Sequence, residues 1–372
     1  MNGRDRTVDA LRAVAILGVV LGHWLVSAVV ANPYRISQVH GESPLSYAHR
    51  MVPFSWLLQT LGPFFFAGGY AAAKSLARRP TGMWLRTRIW RLIRPILPLA
   101  LVWVPALLLL AVAGAPESTR HLVESLVTHP LWFLLAYLVL TALTPLLVRV
   151  GPWLVGPAIA LVALSDAFRL PTWGTLVVVP VGWAVPYLLG IALAENRLGR
   201  AAGPLLLGFG IAGGATLVLA FGYPASAVGV PGDKFSNLDP PSLFAVALAS
   251  AQIGLFLVVR PELTRILNHS IAWVPVALLN LGAMTIFLWH QTALLLVTFA
   301  GLLAGRPAGL LDTPAGGWPL DRLQWLPVFA LVLVVLVAIF HRFEAAGSKM
   351  SYGAGTMVES DADHQRREEG RT

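Results

Sequence analysis

The sequence predicts an all-α fold, a polytopic integral-membrane bundle of about ten transmembrane helices. Of its 372 residues, 56% are hydrophobic and only 12% are charged. A soluble domain carries about 25% charged residues because its surface faces water. The mean hydropathy of +0.70 indicates the same class. The shortage of charge extends over almost the whole chain, which favours one membrane-embedded body over two soluble domains.

The apolar segments can be taken in chain order. A membrane-spanning helix needs about 20 mostly apolar residues. The first apolar run is too long for the core of a signal peptide, so we expect it to be retained as a helix. The approximate cores of the predicted spans are residues 8–30, 53–73, 95–114, 130–148, 152–168, 174–194, 203–222, 242–259, 271–303 and 325–341.

Charge distribution predicts the orientation. If the N-terminus is cytoplasmic, the cytoplasmic segments hold roughly 19 of the 27 Lys and Arg residues, which satisfies the positive-inside rule. We therefore expect both termini in the cytoplasm and a multi-pass protein of the cell membrane. The formal charge of +9 does not indicate nucleic-acid binding, because it gathers beside predicted spans. The polar residues 345–372 are typical of a disordered cytoplasmic tail, which leaves residues 1–344 as the membrane domain.

Ionisable groups within a membrane helix are costly, so each is a candidate functional residue. The first predicted helix has Asp9, Arg12 and His23. Arg12 and His23 are eleven residues apart, so they share a helix face at a separation of about 16 Å along the axis. This spacing predicts Arg12 near the cytoplasmic surface and His23 deep in the membrane. Alternatively, Asp9 and Arg12 form an interfacial ion pair, and His23 only hydrogen-bonds a neighbouring helix.

A basic cluster follows the second predicted span. Arginine binds phosphate oxygens in a bidentate manner, so four guanidinium groups together suit a phosphate-bearing ligand. The alternative is an anchor that only sets the membrane orientation. The cluster comprises Arg86, Arg88, Arg91 and Arg94.

Two other motifs have both a structural and a functional interpretation. The run Pro63-Phe-Phe-Phe-Ala-Gly-Gly-Tyr70 contains paired glycines, which permit either close helix packing or the close approach of a ligand. His290, in the long ninth span, is either a polar group lining a cavity or a structural histidine. Trp132 follows His129 at the external end of the fourth span, where it belongs to an aromatic belt or to a cavity wall. The polar connection at residues 232–242 is either an acceptor contact or a plain loop.

These motifs together resemble a known family. The segment from Asp9 to His23 resembles the first-helix signature of the membrane-bound acyltransferase-3 family, which has an Asp-Gly-Leu-Arg-Gly start and a histidine at this spacing. The run ending at Tyr70 and the arginine cluster before Pro95 resemble its next two motifs. Weaker landmarks follow in the same order, and the resemblance covers roughly residues 7–342. The weaker landmarks are Trp132-Phe133-Leu134, Leu189-Gly190 and Phe287-Leu-Trp-His290.

The chain departs from the family pattern at two positions. Gly68 stands where many members have serine, so a hydroxyl there cannot be a required nucleophile in this protein. Ala10 replaces the usual glycine of the first-helix signature. The chain also has no cysteine, which excludes a cysteine nucleophile, disulfides and thiolate metal sites.

The resemblance implies an enzyme that moves an acyl group from cytoplasmic acyl-CoA to a hydroxyl or amino group of a sugar, lipid, cell-wall or antibiotic acceptor. Membrane lipids are its other expected partners, and no tightly bound cofactor or metal is expected. The rival interpretation is a transporter or flippase for a lipid-linked sugar or acyl group, which would also need buried charges. Under the enzyme interpretation, His23 is the base or the acyl-accepting nucleophile, Arg12 holds the donor phosphates or positions the site, and Asp9 is counted with them as a catalytic candidate. Arg86, Arg88, Arg91 and Arg94 bind the donor phosphates. Tyr70, Trp132 and His290 contact substrate.

Overall fold

The computed structural model describes residues 5–35, 38–168, 172–230 and 235–344, so the predicted tail at residues 345–372 lies outside the described residues. Helices dominate the fold, and one short hairpin interrupts them. Strand β1 (Ala28–Ala31) pairs antiparallel with β2 (Val39–Glu42). The helices are α1 (Arg6–Val26), α2 (Phe54–Leu58), α3 (Leu61–Leu76), α4 (Thr81–Ile93), α5 (Ile96–Val112), α6 (Glu117–Val150), α7 (Val155–Phe168), α8 (Thr172–Ala194), α9 (Ala202–Phe221), α10 (Leu243–Leu267), α11 (Ser270–Leu281), α12 (Ala283–Leu303), α13 (Trp318–Leu323) and α14 (residues 326–344).

Eight segments of the described chain are long and apolar enough to cross a membrane, judged by length and composition. The predicted class, a polytopic helical membrane protein, is therefore confirmed. The eight segments are Arg6–Val26, Thr81–Val112, Glu117–Phe168, Leu176–Ala194, Ala202–Phe221, Leu243–Leu267, Ala283–Leu303 and Trp318–Glu344.

Two features account for the difference between these eight segments and the ten predicted. The predicted span at residues 53–73 folds as α2 and α3, and α3 has only 16 residues. The predicted spans at 130–148 and 152–168 belong to one helical stretch, in which a 3-10 turn at Gly151–Leu154 joins α6 to α7. The predicted break between residues 148 and 152 falls at this turn, so the two predicted spans correspond to the C-terminal part of α6 and to α7.

Helix α1 lies inside the bundle, where it packs against α3, α10, α11 and α12. Its N-cap is Asp5, whose Oδ1 accepts from the backbone N–H groups of Thr7 and Val8 at 3.0 and 3.4 Å. The helix ends at Val26, four residues before the predicted limit. The reason is the hairpin, since the next apolar residues extend into β1 and are buried there.

The paired glycines of the aromatic run serve close helix packing. A Cβ at Gly69 would collide with the carbonyl oxygen of Tyr187 on α8, and a Cβ at Gly190 would collide with that of Phe66 on α3. The two helices therefore approach each other backbone to backbone, as small residues permit in membrane bundles. Gly68 faces the side chain of Tyr137, which leaves no room there for a larger residue.

Candidate active site

His23 lies in the last turn of α1 and lines a cavity of about 420 Å³. Its Nδ1 is 2.8 Å from the carbonyl oxygen of Val19. A carbonyl oxygen can only accept a hydrogen bond, so Nδ1 carries the proton and donates it. In the neutral ring, Nε2 then has a free lone pair, which is the form that a general base requires.

Two other histidines meet His23 in this cavity. The ring centroid of His290 on α12 lies 4.9 Å from that of His23, and the ring centroid of His129 on α6 lies 5.4 Å from it. Both contacts are edge to face, and all three rings line the cavity. Trp24 joins the helices here, since its indole Nε1 donates to the carbonyl oxygen of His290 at 3.0 Å. The described residues contain no group of three or more His, Cys, Asp or Glu side chains arranged to hold a metal ion.

His129 was not predicted as a site residue, because the sequence places it only at the external end of the fourth span. Its distance along the chain from His23 gives no sign of the contact, which arises only when α6 packs near α1. The residue type itself could have indicated His129, because a histidine is uncommon within an apolar helix. Trp132, predicted to contact substrate, does line the cavity, with its ring 6.3 Å from that of His129.

The cavity wall is mostly apolar, and the connection between α9 and α10 closes one side of it. Ser236, Leu238 and Asp239 of that connection line the cavity, so part of the predicted polar segment at 232–242 reaches the site. Residues 231–234 lie outside the described residues. Asp239 is the one acidic side chain among the described residues that line the cavity.

Hydrogen bonds hold this connection in place. Asp166 on α7 accepts from the phenol of Tyr223 and from the backbone N–H of Leu243, both at 2.8 Å. Burial and the hydrogen bond to Asp166 raise the pKa of Tyr223, so its phenol stays protonated and able to donate. The buried amide of Asn237 donates to the carbonyl oxygens of Pro224 and Ser226 at 2.7 and 2.8 Å. The cavity therefore has a structured wall on this side.

Arg12 lies toward the N-terminal end of α1, about 16 Å from His23 along the helix axis. Its Nε donates to Oδ1 of Asn280 on α11 at 2.5 Å. The amide of Asn280 in turn donates to the backbone carbonyl of Asp9 at 2.8 Å. Because of this distance, Arg12 and Asp9 do not contact His23. The structure places them in a contact between α1 and α11.

Tyr70 lies at the opposite end of α3 from the cavity and not at the His23 site. Its hydroxyl donates to Oδ2 of Asp5 at 3.2 Å, and the same oxygen accepts from Arg260 at 2.6 Å. Burial raises the pKa of Asp5, but the hydrogen bond from Thr7 and the charge of Arg260 outweigh it and hold that pKa below its ordinary value. A substrate contact at Tyr70 would therefore belong to the Asp5 end of the bundle.

The four predicted donor-binding arginines lie on α4 and at its C-terminal end. Within the described residues, none of them forms a salt bridge. Arg88 makes a long contact of 3.5 Å with the hydroxyl of Ser75, and Nη1 of Arg94 is buried without a hydrogen-bond partner. Helix α5 begins two residues after Arg94, and about 10 Å of this helix separate Ile96 from Trp103. Trp103 donates to Thr292, two residues after His290, at 3.0 Å.

Arg322 on α13 was not predicted, although it supports the site directly. It is fully buried, and its three guanidinium nitrogens donate to the carbonyl oxygens of Trp24, Ser27 and Gly309 at 2.7, 3.0 and 3.0 Å. Two of these carbonyls end α1, where helix carbonyls lack intrahelical partners and the helix dipole favours a cation. Arg322 therefore fixes the turn that carries His23.

The fold and the site define a polytopic membrane protein with a base-competent histidine in an internal cavity. An acyltransferase-domain family model, that of acyltransferase-3, matches residues 5–341, nearly the whole chain. The chain belongs to the acyltransferase-3 family, whose members are membrane acyltransferases. No curated protein and no solved structure matches the chain.

Proposed function

We propose that this protein, in the cell membrane, transfers an acyl group from cytoplasmic acyl-CoA to a hydroxyl or amino group of an acceptor bound beside His23. One observation carries the proposal: Nδ1 of His23 is committed to Val19, so the lone pair of Nε2 is free at a cavity large enough for a small substrate. Family membership supports acyl transfer, while the donor and the acceptor are our inference.

The proposed reaction needs one base and proceeds in two steps. Nε2 of His23 accepts the proton of the acceptor O–H or N–H as the oxygen or nitrogen bonds to the thioester carbonyl carbon. The tetrahedral intermediate then expels the CoA thiolate, and the imidazolium of His23 returns the proton to that sulfur. An acyl-histidine intermediate would use the same nitrogen as the nucleophile.

The arginine cluster supports CoA as the donor. Four guanidinium groups without salt-bridge partners among the described residues suit the phosphates of CoA, which arginine binds in a bidentate manner. About 10 Å of α5 separate Ile96, which follows the cluster, from Trp103, which contacts Thr292. This separation suits a donor whose phosphates and thioester are joined by a long, flexible arm. In the predicted orientation, the cluster faces the cytoplasm.

Labelled acyl-CoA tests this function and separates it from transport. The purified protein in liposomes is incubated with acetyl-CoA or a longer acyl-CoA, and we expect the label to move to an acceptor or the thioester to be hydrolysed. Labelled acceptor that crosses the bilayer without forming a new ester or amide would contradict the proposal and favour a transporter or flippase. The family match gives that alternative no support.

A further inference from the structure

His290 has an unusual hydrogen-bonding state. Its side chain is completely buried, and its Nδ1 lies 2.6 Å from the carbonyl oxygen of Phe287. Its Nε2 is buried without a hydrogen-bond partner among the described residues, although the ring lines the cavity. Native proteins rarely leave a buried polar atom in this state, and the exceptions often have a functional reason.

The contact between Nδ1 of His290 and the main chain determines whether Nε2 can donate or accept a hydrogen bond. Because the carbonyl oxygen of Phe287 only accepts, Nδ1 of His290 carries the hydrogen and Nε2 presents a lone pair. His23 is in the same state through Val19. Two lone pairs cannot hydrogen-bond to each other, so the two neighbouring histidines both need donors from elsewhere.

Two hydroxyl groups near the histidines, those of Ser55 and Thr60, do not supply these donors. The hydroxyl of Ser55 donates to the carbonyl oxygen of Val52 at 2.6 Å, and that of Thr60 donates to Ala15 at 2.7 Å. Both residues line the cavity. Their hydrogens are committed to the main chain, and no described residue donates a hydrogen bond to Nε2 of His290. A molecule bound in the cavity can supply such a donor.

We propose that the acceptor substrate has two adjacent protic groups, as in a 1,2-diol or a 1,2-amino alcohol. One is the reacting O–H or N–H, which donates to Nε2 of His23, and the other donates to Nε2 of His290. The ring centroids are 4.9 Å apart, a separation small enough for one molecule with substituents on neighbouring carbon atoms to lie beside both rings. This inference rests on the proposed function and narrows its acceptor class, since an isolated alcohol would leave His290 without a partner.

A matched pair of small molecules tests the second donor. Ethylene glycol and 2-methoxyethanol differ in that a methyl group replaces one hydroxyl hydrogen. Each is added to the purified wild-type protein during modification by diethyl pyrocarbonate, and mass spectrometry measures labelling of His23. We expect ethylene glycol to protect His23 at a concentration roughly 3- to 10-fold lower, the value of one neutral hydrogen bond. Equal protection by the two compounds would overturn the inference.

Two variants assign the effect to His290. His290→Phe keeps an aromatic ring but has no acceptor nitrogen, so both compounds should protect His23 equally. His290→Gln offers an amide oxygen as acceptor and should restore part of the preference. A preference that persists unchanged in a folded His290→Phe protein would also overturn the inference.

Acyl transfer from acetyl-CoA, measured in parallel, keeps the two proposals apart. Protection does not require turnover, so it reports on the second donor even when no transfer occurs. No transfer to any acceptor together with selective protection would contradict the proposed function alone. Transfer without selective protection would contradict this inference alone.

Discussion

Arg322→Lys is the substitution that tests how the end of α1 is held. The three guanidinium nitrogens of Arg322 donate to three separate carbonyl oxygens, and the rings of Trp318 and Phe329 lie 5.2 and 4.7 Å from its central carbon. A lysine keeps the positive charge but has one nitrogen in place of the planar fork. It can reach only part of this set of acceptors.

The expected loss follows from the number of carbonyls left without a donor. Each buried carbonyl that loses its partner costs about 1–3 kcal/mol. If the lysine reaches one of three, two remain, and the free energy of unfolding falls by roughly 2–6 kcal/mol. Two of the three carbonyls belong to Trp24 and Ser27, which follow His23 at the end of α1. We also expect at least a tenfold loss of transfer rate, because a misplacement of about 1 Å can reduce a rate up to about 100-fold.

The assay pairs thermal unfolding with acyl transfer in the same detergent preparation. Arg265→Lys is the matched control, because Arg265 is exposed and its contact with Glu262 is a surface ion pair. A lysine can keep that pair, so stability and activity should stay near wild type. Wild-type stability and wild-type activity in Arg322→Lys would refute the positioning role of Arg322.

Two other predictions concern the opposite end of the bundle. Arg94→Ala should weaken acyl-CoA binding roughly 10- to 150-fold, the value of a hydrogen bond to a charged group. Arg200 lies on the exposed surface, so Arg200→Ala should leave the affinity unchanged. Equal affinities of the two variants in calorimetry would show that the arginine cluster only sets the membrane orientation. Asp5→Asn should lower stability at neutral pH by about 1 kcal/mol, because Asn still caps the helix but loses the ion pair with Arg260. Since the pKa of Asp5 is lowered in the folded protein, its stabilisation is present above the ordinary value near 4 and disappears as the pH falls through the folded value. The difference between the two proteins in thermal melts should therefore shrink as the pH falls below about 4, and a difference that stays constant down to the lowest pH at which both fold would contradict this assignment.

The sequence predicts the helical membrane class well, because hydropathy over about 20 residues is a local property. The sequence predicts less well the features that depend on how helices pack against each other. The end of α1 at Val26 depends on a hairpin partner, and the placement of Tyr70 depends on which end of α3 faces the cavity. Neither can be read from residue types alone.

The residues of the candidate site likewise include some that the sequence predicts and some that it does not. His23 could be predicted from its cost in an apolar helix and from its spacing to Arg12, and His290 from its position within an apolar span. His129 and Arg322 could not, because their contacts with the end of α1 join segments distant in the chain. Arg322 in particular follows a loop rich in glycine and proline, where an arginine usually indicates a solvated surface.

The central claim is that His23 is the base in acyl transfer, and His23→Gln tests it most directly. Glutamine can still hydrogen-bond but cannot accept a proton near neutral pH. Transfer rate and thermal stability are measured in one membrane preparation, with the exposed His49→Gln as the control. We predict a roughly 10²–10⁴-fold loss of rate in folded His23→Gln, the usual contribution of general acid–base catalysis, and no loss in His49→Gln. A stable, fully active His23→Gln protein would contradict the claim.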